Sequence, residues 1–155
     1  MKTWIIGGIG VVIVLIGTFL LVNKVSPVGW GMWGNYNTTS GTALKGYDPV
    51  SYFNSAQPAS GDSQYTHEWR GAIWQFANAE NMKLFTDNPE SYAPQFGGFC
   101  SFAVSKGFTA DISPEAWHIE GGDLFVFADK NVRDDWVAGL PDGSLLESTS
   151  NWAKR

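Results

Sequence analysis

The chain is poor in several things, and each shortage excludes something. One cysteine stands among 155 residues. No intramolecular disulfide can form, and no zinc site of the two- or four-cysteine kind can be assembled within one copy. Basic side chains number 10 against 15 acidic, a net charge of −5. The positive charges are scattered, and without a basic face the chain has no means of neutralising nucleic-acid phosphates. Charged residues amount to only 16%, which rules out a disordered polyelectrolyte. Nucleophile-elbow, phosphate-loop and HExxH sequences are absent, as is a close carboxylate pair on a recognisable helix. The commonest hydrolase, nucleotide-binding, zinc-protease and glycosidase signatures are therefore missing.

What is present divides the chain. Trp4 to Val22 is an uncharged run of 19 residues rich in Ile, Val, Leu and Gly, and as a helix it would be roughly 28 Å long. It ends at Asn23-Lys24-Val25-Ser26-Pro27 with no Ala-x-Ala step, so one transmembrane helix retained in the lipid bilayer through residues 4–22 is expected, rather than a cleaved signal. Lys2 with the amino terminus opposes Lys24, which places the N-terminus inside and the domain outside. Thr3, Gly10 and Gly17 recur every seven residues. Small residues on one stripe let another helix approach, so Gly10 and Gly17 are candidate contacts to other membrane protein subunits. Residues 25–42 form a Gly/Trp-rich juxtamembrane linker whose Trp30, Trp33 and Tyr36 are of the type that lies at headgroup level; Trp30 and Trp33 join the candidate partner contacts. The expected organisation is an anchor over 1–24, this linker over 25–42, and one domain over 43–155. Without residues 1–24 the chain keeps 8 basic and 15 acidic side chains, a net −7.

Within the domain the pattern predicts an α+β fold of short β-hairpins and short helices. Tyr65, His67 and Trp69 alternate with polar residues before a turn at Gly71 and a second strand over Ile73 to Phe76. Asn78 can cap a helix carrying Met82 and Phe85 and ending at Asn88-Pro89. Phe99 to Lys106 suits two helical turns closed by Gly107. Trp117 to Glu120, Gly121-Gly122 and Asp123 to Phe127 read as a second hairpin. Asp129 can start a helix with Val132 and Trp136 on one face, and a last helix begins at Ser144. No internal repeat is visible.

The string Lys45 to Phe53 (KGYDPVSYF), followed by YTHEWRG from Tyr65, WQFA from Trp74, Tyr92, Pro94, Gly97, Gly98 and Cys100, resembles the YHS domain family, above all its stand-alone bacterial members. The resemblance covers about residues 43–153. It implies a compact module related to those that accompany metal chemistry in heavy-metal ATPases and some diiron hydroxylases. Those relatives commonly carry cysteine after Asp-Pro-Val, where this chain has Ser51. A hydroxyl is a poor ligand for soft metals, which weakens any multi-cysteine site. The bacterial resemblance and the charge bias together place the chain in the bacterial inner membrane, single-pass, with a periplasmic C-terminal domain.

Cys100 opens a short helix after two glycines, where unpaired N–H groups favour a thiolate, although free cysteine is also often a buried small hydrophobe. His67 is its candidate partner, and imidazole with thiolate could hold copper or zinc. Three functions stay open. The first is a non-catalytic accessory or binding subunit of a larger membrane protein complex. The second is a copper-type metal-handling module using Cys100 and His67, and the third is a thiol-dependent enzyme. The first is preferred, with no catalytic residue assigned and no nucleic-acid partner.

Overall fold

The computed structural model describes the backbone of residues 2–55 and 57–155, and the side chains of residues 12–55 and 57–155. Helix α1 (Lys2–Val22) comes first. Short strands β1 (Ser26–Pro27), β2 (Thr38–Thr39) and β3 (Thr42–Ala43) follow, then one turn of helix, α2 (Ser51–Asn54). The first long hairpin is β4 (Asp62–Trp69) and β5 (Ala72–Phe76), followed by α3 (Ala79–Asp87). After α4 (Ser101–Ser105) and β6 (Phe108–Thr109) comes a second hairpin, β7 (Ser113–Glu120) and β8 (Asp123–Phe127), then α5 (Lys130–Ala138) and α6 (Ser144–Trp152).

Among the described residues no helix is long and apolar enough to cross a membrane. This corrects the expectation of a transmembrane helix over 4–22, and with it the single-pass anchor in the bilayer. Gly10 lies outside the residues whose side chains are described, and Gly17 has open space where a Cβ would stand.

The α+β reading of the domain holds, and its organisation is more regular than the sequence suggests. Each hairpin–helix unit repeats the other at a displacement of 51 residues: 62–69 against 113–120, 72–76 against 123–127, and 79–87 against 130–138. The register is shared, with His67 opposite Trp74 and His118 opposite Phe125, and each ladder shifts at the same place, before Thr66 and before Trp117. Both turns have two residues at positive φ, Arg70-Gly71 and Gly121-Gly122, the backbone of a type I′ hairpin turn. Asn78 accepts the Asn81 N–H at 2.8 Å and Asp129 accepts the Val132 N–H at 3.0 Å, so both helices begin with a side-chain cap. Phe85 and Trp136 occupy the same helix position, each 5.0 Å between ring centroids from the aromatic in the second strand, Trp74 or Phe125. The repeat expected to be absent is therefore present, carried by geometry more than by residue identity.

The units differ in cover. In β5, Ala72, Trp74 and Phe76 are buried while Ile73 is exposed. In β8, Leu124 to Phe127 are all buried, so the second hairpin is covered on both faces. The first joins a four-stranded sheet in the order β2-β3-β5-β4, with β3 and β5 parallel. Between the units lie Tyr52, Phe99 and Val104, fully buried; burying each such side chain stabilises by about 1.5–3 kcal/mol.

Residues 25–42 pack into the domain. β1 pairs with β6, Val28 is buried, and β2 leads into the sheet. A polar latch fixes this segment. Lys24 donates to Asn37 Oδ1 at 2.6 Å and to the Thr38 carbonyl at 2.7 Å. Asn37 donates to Asp111 at 3.0 Å and to the Gly98 carbonyl at 3.1 Å, and Lys45 pairs with Asp111 at 2.9 Å. Burial pushes the Asp111 carboxyl up, but hydrogen bonds from Lys45 and Asn37 and the charge of Lys24 hold it below the usual carboxylate value. Burial lowers the Lys24 ammonium, opposed by Asp111.

Because the Asp111 pKa is depressed in the fold, its contribution is complete above about pH 4 and is lost as pH falls further. Asp111→Asn is expected to lower stability at pH 7 by about 1–2 kcal/mol, since the group is part-buried and hydrogen-bonded. The gap from the parent protein should narrow below about pH 4. Urea denaturation at a series of pH values measures both.

Candidate functional site

Cys100 precedes the first residue of α4 and is 1% exposed. The helix is shorter than the expected span from Phe99, because Phe96, Gly97 and Gly98 are left-handed and Phe99 is extended. The Cys100 N–H donates to the Ala110 carbonyl at 3.0 Å, and its carbonyl accepts from Val104 at 3.0 Å. Burial pushes the thiol above its ordinary pKa, while the N–H groups of Ala103, Ala128 and Phe102 around the sulfur pull the other way without prevailing. The side chain is a neutral thiol at pH 7, enclosed by the core.

Its place has a counterpart in the other half. Asp48 is fully buried; Oδ1 accepts the Val50 N–H at 2.8 Å, and Oδ2 accepts the Ala77 N–H at 2.9 Å and the Asn81 amide at 2.6 Å. Ala77 and Ala128 are equivalent residues, each just before a helix cap. The Asp48 carboxylate thus binds the corner between strand and helix at Ala77, and the Cys100 sulfur lies near the equivalent corner at Ala128. Ser51, at the position where the resembling proteins carry cysteine, donates to the Asp48 carbonyl at 2.7 Å and accepts the Ala59 N–H at 3.0 Å, so its hydroxyl closes a loop.

His67 lies on β4, half-buried, with its ring 6.4 Å from that of Phe85. His118 repeats this contact against Trp136 at 6.5 Å and pairs with Glu120 at 3.1 Å. Both histidines are ring-packing residues of equivalent strands. His67 packs its ring against Phe85 of α3, and the Cys100 sulfur lies near Ala128, just before α5. Among the described residues, no group of three or more His, Cys, Asp or Glu could hold a metal ion.

Of the other candidates, Trp30 is 70% exposed, while Trp33 packs on the core with its indole nitrogen unpartnered. The sequence reading missed Asp48 as a structural acceptor. The signal for it was the pattern His-x3-Gly-x4-Phe-Ala followed by Asn or Asp, at His67 and again at His118. It also missed a cleft of about 780 Å³ lined by Tyr36, Arg70, Gly97, Trp152 and Arg155, assembled from four separate segments.

Two outcomes follow from the paired corners. Asp48→Ala strands the Val50 and Ala77 N–H groups and should lower stability by about 3 kcal/mol or more, read from denaturant unfolding. Alkylation of Cys100 by iodoacetamide near pH 7.5 should be at least about 100-fold slower in the folded protein than in urea, because reaction must await opening. Fast native alkylation would contradict the enclosure.

No family model, curated protein or solved structure matches the chain.

Proposed function

We propose that this chain is a non-catalytic accessory or binding subunit that works within a larger membrane protein complex, attached through its N-terminal apolar segment. One observation carries the reading. Val12 to Ile16 and Phe19 to Val22 are exposed apolar side chains, each 39–69% accessible, forming a patch that water disfavours and that marks an interaction surface. Gly17, on the same segment, leaves room for close approach of another chain. Exposed Trp30 and Met32 extend the apolar surface beyond the helix.

The enclosed thiol of Cys100 favours this reading over thiol chemistry, since a nucleophile needs a lowered pKa and access. The resemblance to stand-alone YHS domain proteins agrees with a small module serving a larger assembly. The domain's part in this account is to present a rigid aromatic body next to the apolar segment.

Native purification in mild detergent, mass spectrometry of co-purifying chains and elemental analysis of the same sample test the proposal together. Stoichiometric partner chains are expected. A free monomer would overturn the reading, and stoichiometric copper or zinc lost in Cys100→Ser would favour a metal-handling module in its place. Replacing Ile13 and Leu15 together by Asn should abolish partner capture while leaving the unfolding free energy of the domain, read from urea denaturation, within about 0.5 kcal/mol, because exposed side chains outside the core contribute little to folding.

A further inference from the structure

Three parts of the chain that are far apart in sequence converge on the cleft of about 780 Å³: Tyr36 from the segment before β2, Arg70 from the β4–β5 turn, and Trp152 with Arg155 at the end of α6. The protein has three arginines, and two of them line this one cleft. Both guanidiniums are held flat on an indole. Arg70 lies 4.5 Å from the Trp69 ring centroid, and Arg155 lies 4.5 Å from that of Trp152 and 5.4 Å from that of Phe99. Stacking of this kind fixes the plane of the donor fork and leaves its N–H edges free to meet a planar oxyanion.

The electrical balance points the same way. Among the described residues no Asp or Glu side chain lines the cleft, although the chain carries an excess of acidic residues. Arg155 has no ion-pair partner among the described residues. One of its nitrogens, Nη2, donates to the Gly34 carbonyl, while Nη1 is buried with no hydrogen-bond partner. A buried guanidinium N–H without an acceptor is costly, and an anionic ligand would supply one. Arg70 donates to Glu90 at 2.6 Å. The Glu90 pair is well exposed and of the kind that contributes little, so it does not forbid a second acceptor.

The floor is built for close approach. At Gly97 φ is +60°, and an added Cβ would lie 2.2 Å from the Asn35 carbonyl oxygen and 3.3 Å from the Trp152 ring. Only glycine lets the segment carrying Asn35 and Tyr36 close against Trp152. The Asn37 N–H then donates to the Gly97 carbonyl at 2.8 Å and locks that closure.

We propose that this cleft binds a small molecule bearing an oxyanion, a carboxylate or a phosphate, with the anion between Arg70 and Arg155 and its carbon skeleton against Tyr36 and Trp152. The inference stands apart from the accessory reading, since it concerns a different face and needs no partner chain.

Isothermal titration and tryptophan fluorescence of the full chain with benzoate, phenyl phosphate, inorganic phosphate and the neutral analogue benzamide provide the test. Saturable one-to-one binding of at least one anion is expected, with benzamide at least about tenfold weaker. Preference for benzoate assigns a carboxylate and preference for phenyl phosphate a phosphate ester. Equal binding of inorganic phosphate assigns the free ion. Arg70→Gln, at an exposed turn where folding is not at stake, should weaken binding about tenfold, and Arg155→Gln by at least as much. Arg155→Lys should restore only part of the loss, because an ammonium lacks the fork. No saturable binding of any anion up to about 10 mM would overturn the proposal. So would equal affinity for benzamide, or unchanged binding in the Arg70→Gln variant.

Discussion

A strand that runs straight into a helix leaves its corner N–H pointing into the protein with no ladder or helical acceptor, and a buried N–H must be met by something. This chain faces that demand twice, at Ala77 and at Ala128. At Ala77 it answers with the Asp48 carboxylate, and at Ala128 the Cys100 sulfur lies close by. Much else hangs from these two corners. The Asn78 and Asp129 caps follow one residue later, and the helices they start carry Phe85 and Trp136 onto the hairpins. Asp48 also ties the approach to α2 to the unit that follows it. The most buried aromatics of the domain are thereby placed by two small polar anchors.

The choice of acceptor separates the halves chemically. A carboxylate accepts several strong hydrogen bonds and can also reach a side chain, as Asp48 does with Asn81. A thiol accepts weakly, suits a more apolar setting and adds volume to the core. The first unit keeps an open face and joins a wider sheet, whereas the second is covered on both sides. Cys100, which the sequence leaves open between a reactive thiol and a buried small hydrophobe, sits in the fold as a buried thiol.

Local grammar was legible in the chain. The hairpins around Gly71 and Gly121-Gly122, the caps at Asn78 and Asp129 and the helix stop at Gly107 all follow from residues within a few positions of one another. Less legible was anything built across long separations. The segment over 25–42 reads as a linker because its glycines and tryptophans carry no period. It is ordered by the bonds of Asn37 to Gly98 and Asp111, which lie 61 and 74 residues further on. The repeat escaped notice because Trp69 faces Glu120 and Thr66 faces Trp117 in the alignment of the units, so identities are few even where backbone positions coincide. The Arg70–Arg155 cleft joins a turn to the end of α6 and has no sequence pattern of its own. The apolar run from Trp4 is the opposite case: its composition speaks plainly, yet among the described residues no helix is long and apolar enough to cross a membrane.

Helix α1 stops in a way that governs how load passes through the molecule. Lys24 takes a left-handed conformation with φ of 52°, its N–H bonding to the Leu21 carbonyl and the Val25 N–H to that of Leu20, which is a Schellman closure made by a residue other than glycine. The same residue sends its ammonium into Asn37, Thr38 and Asp111. Between helix and domain there is consequently no slack. A tilt or pull applied to α1 is delivered at Lys24 to the sheet and to the loop behind Gly98, so the helix acts on the domain as a clamped lever rather than as a rope.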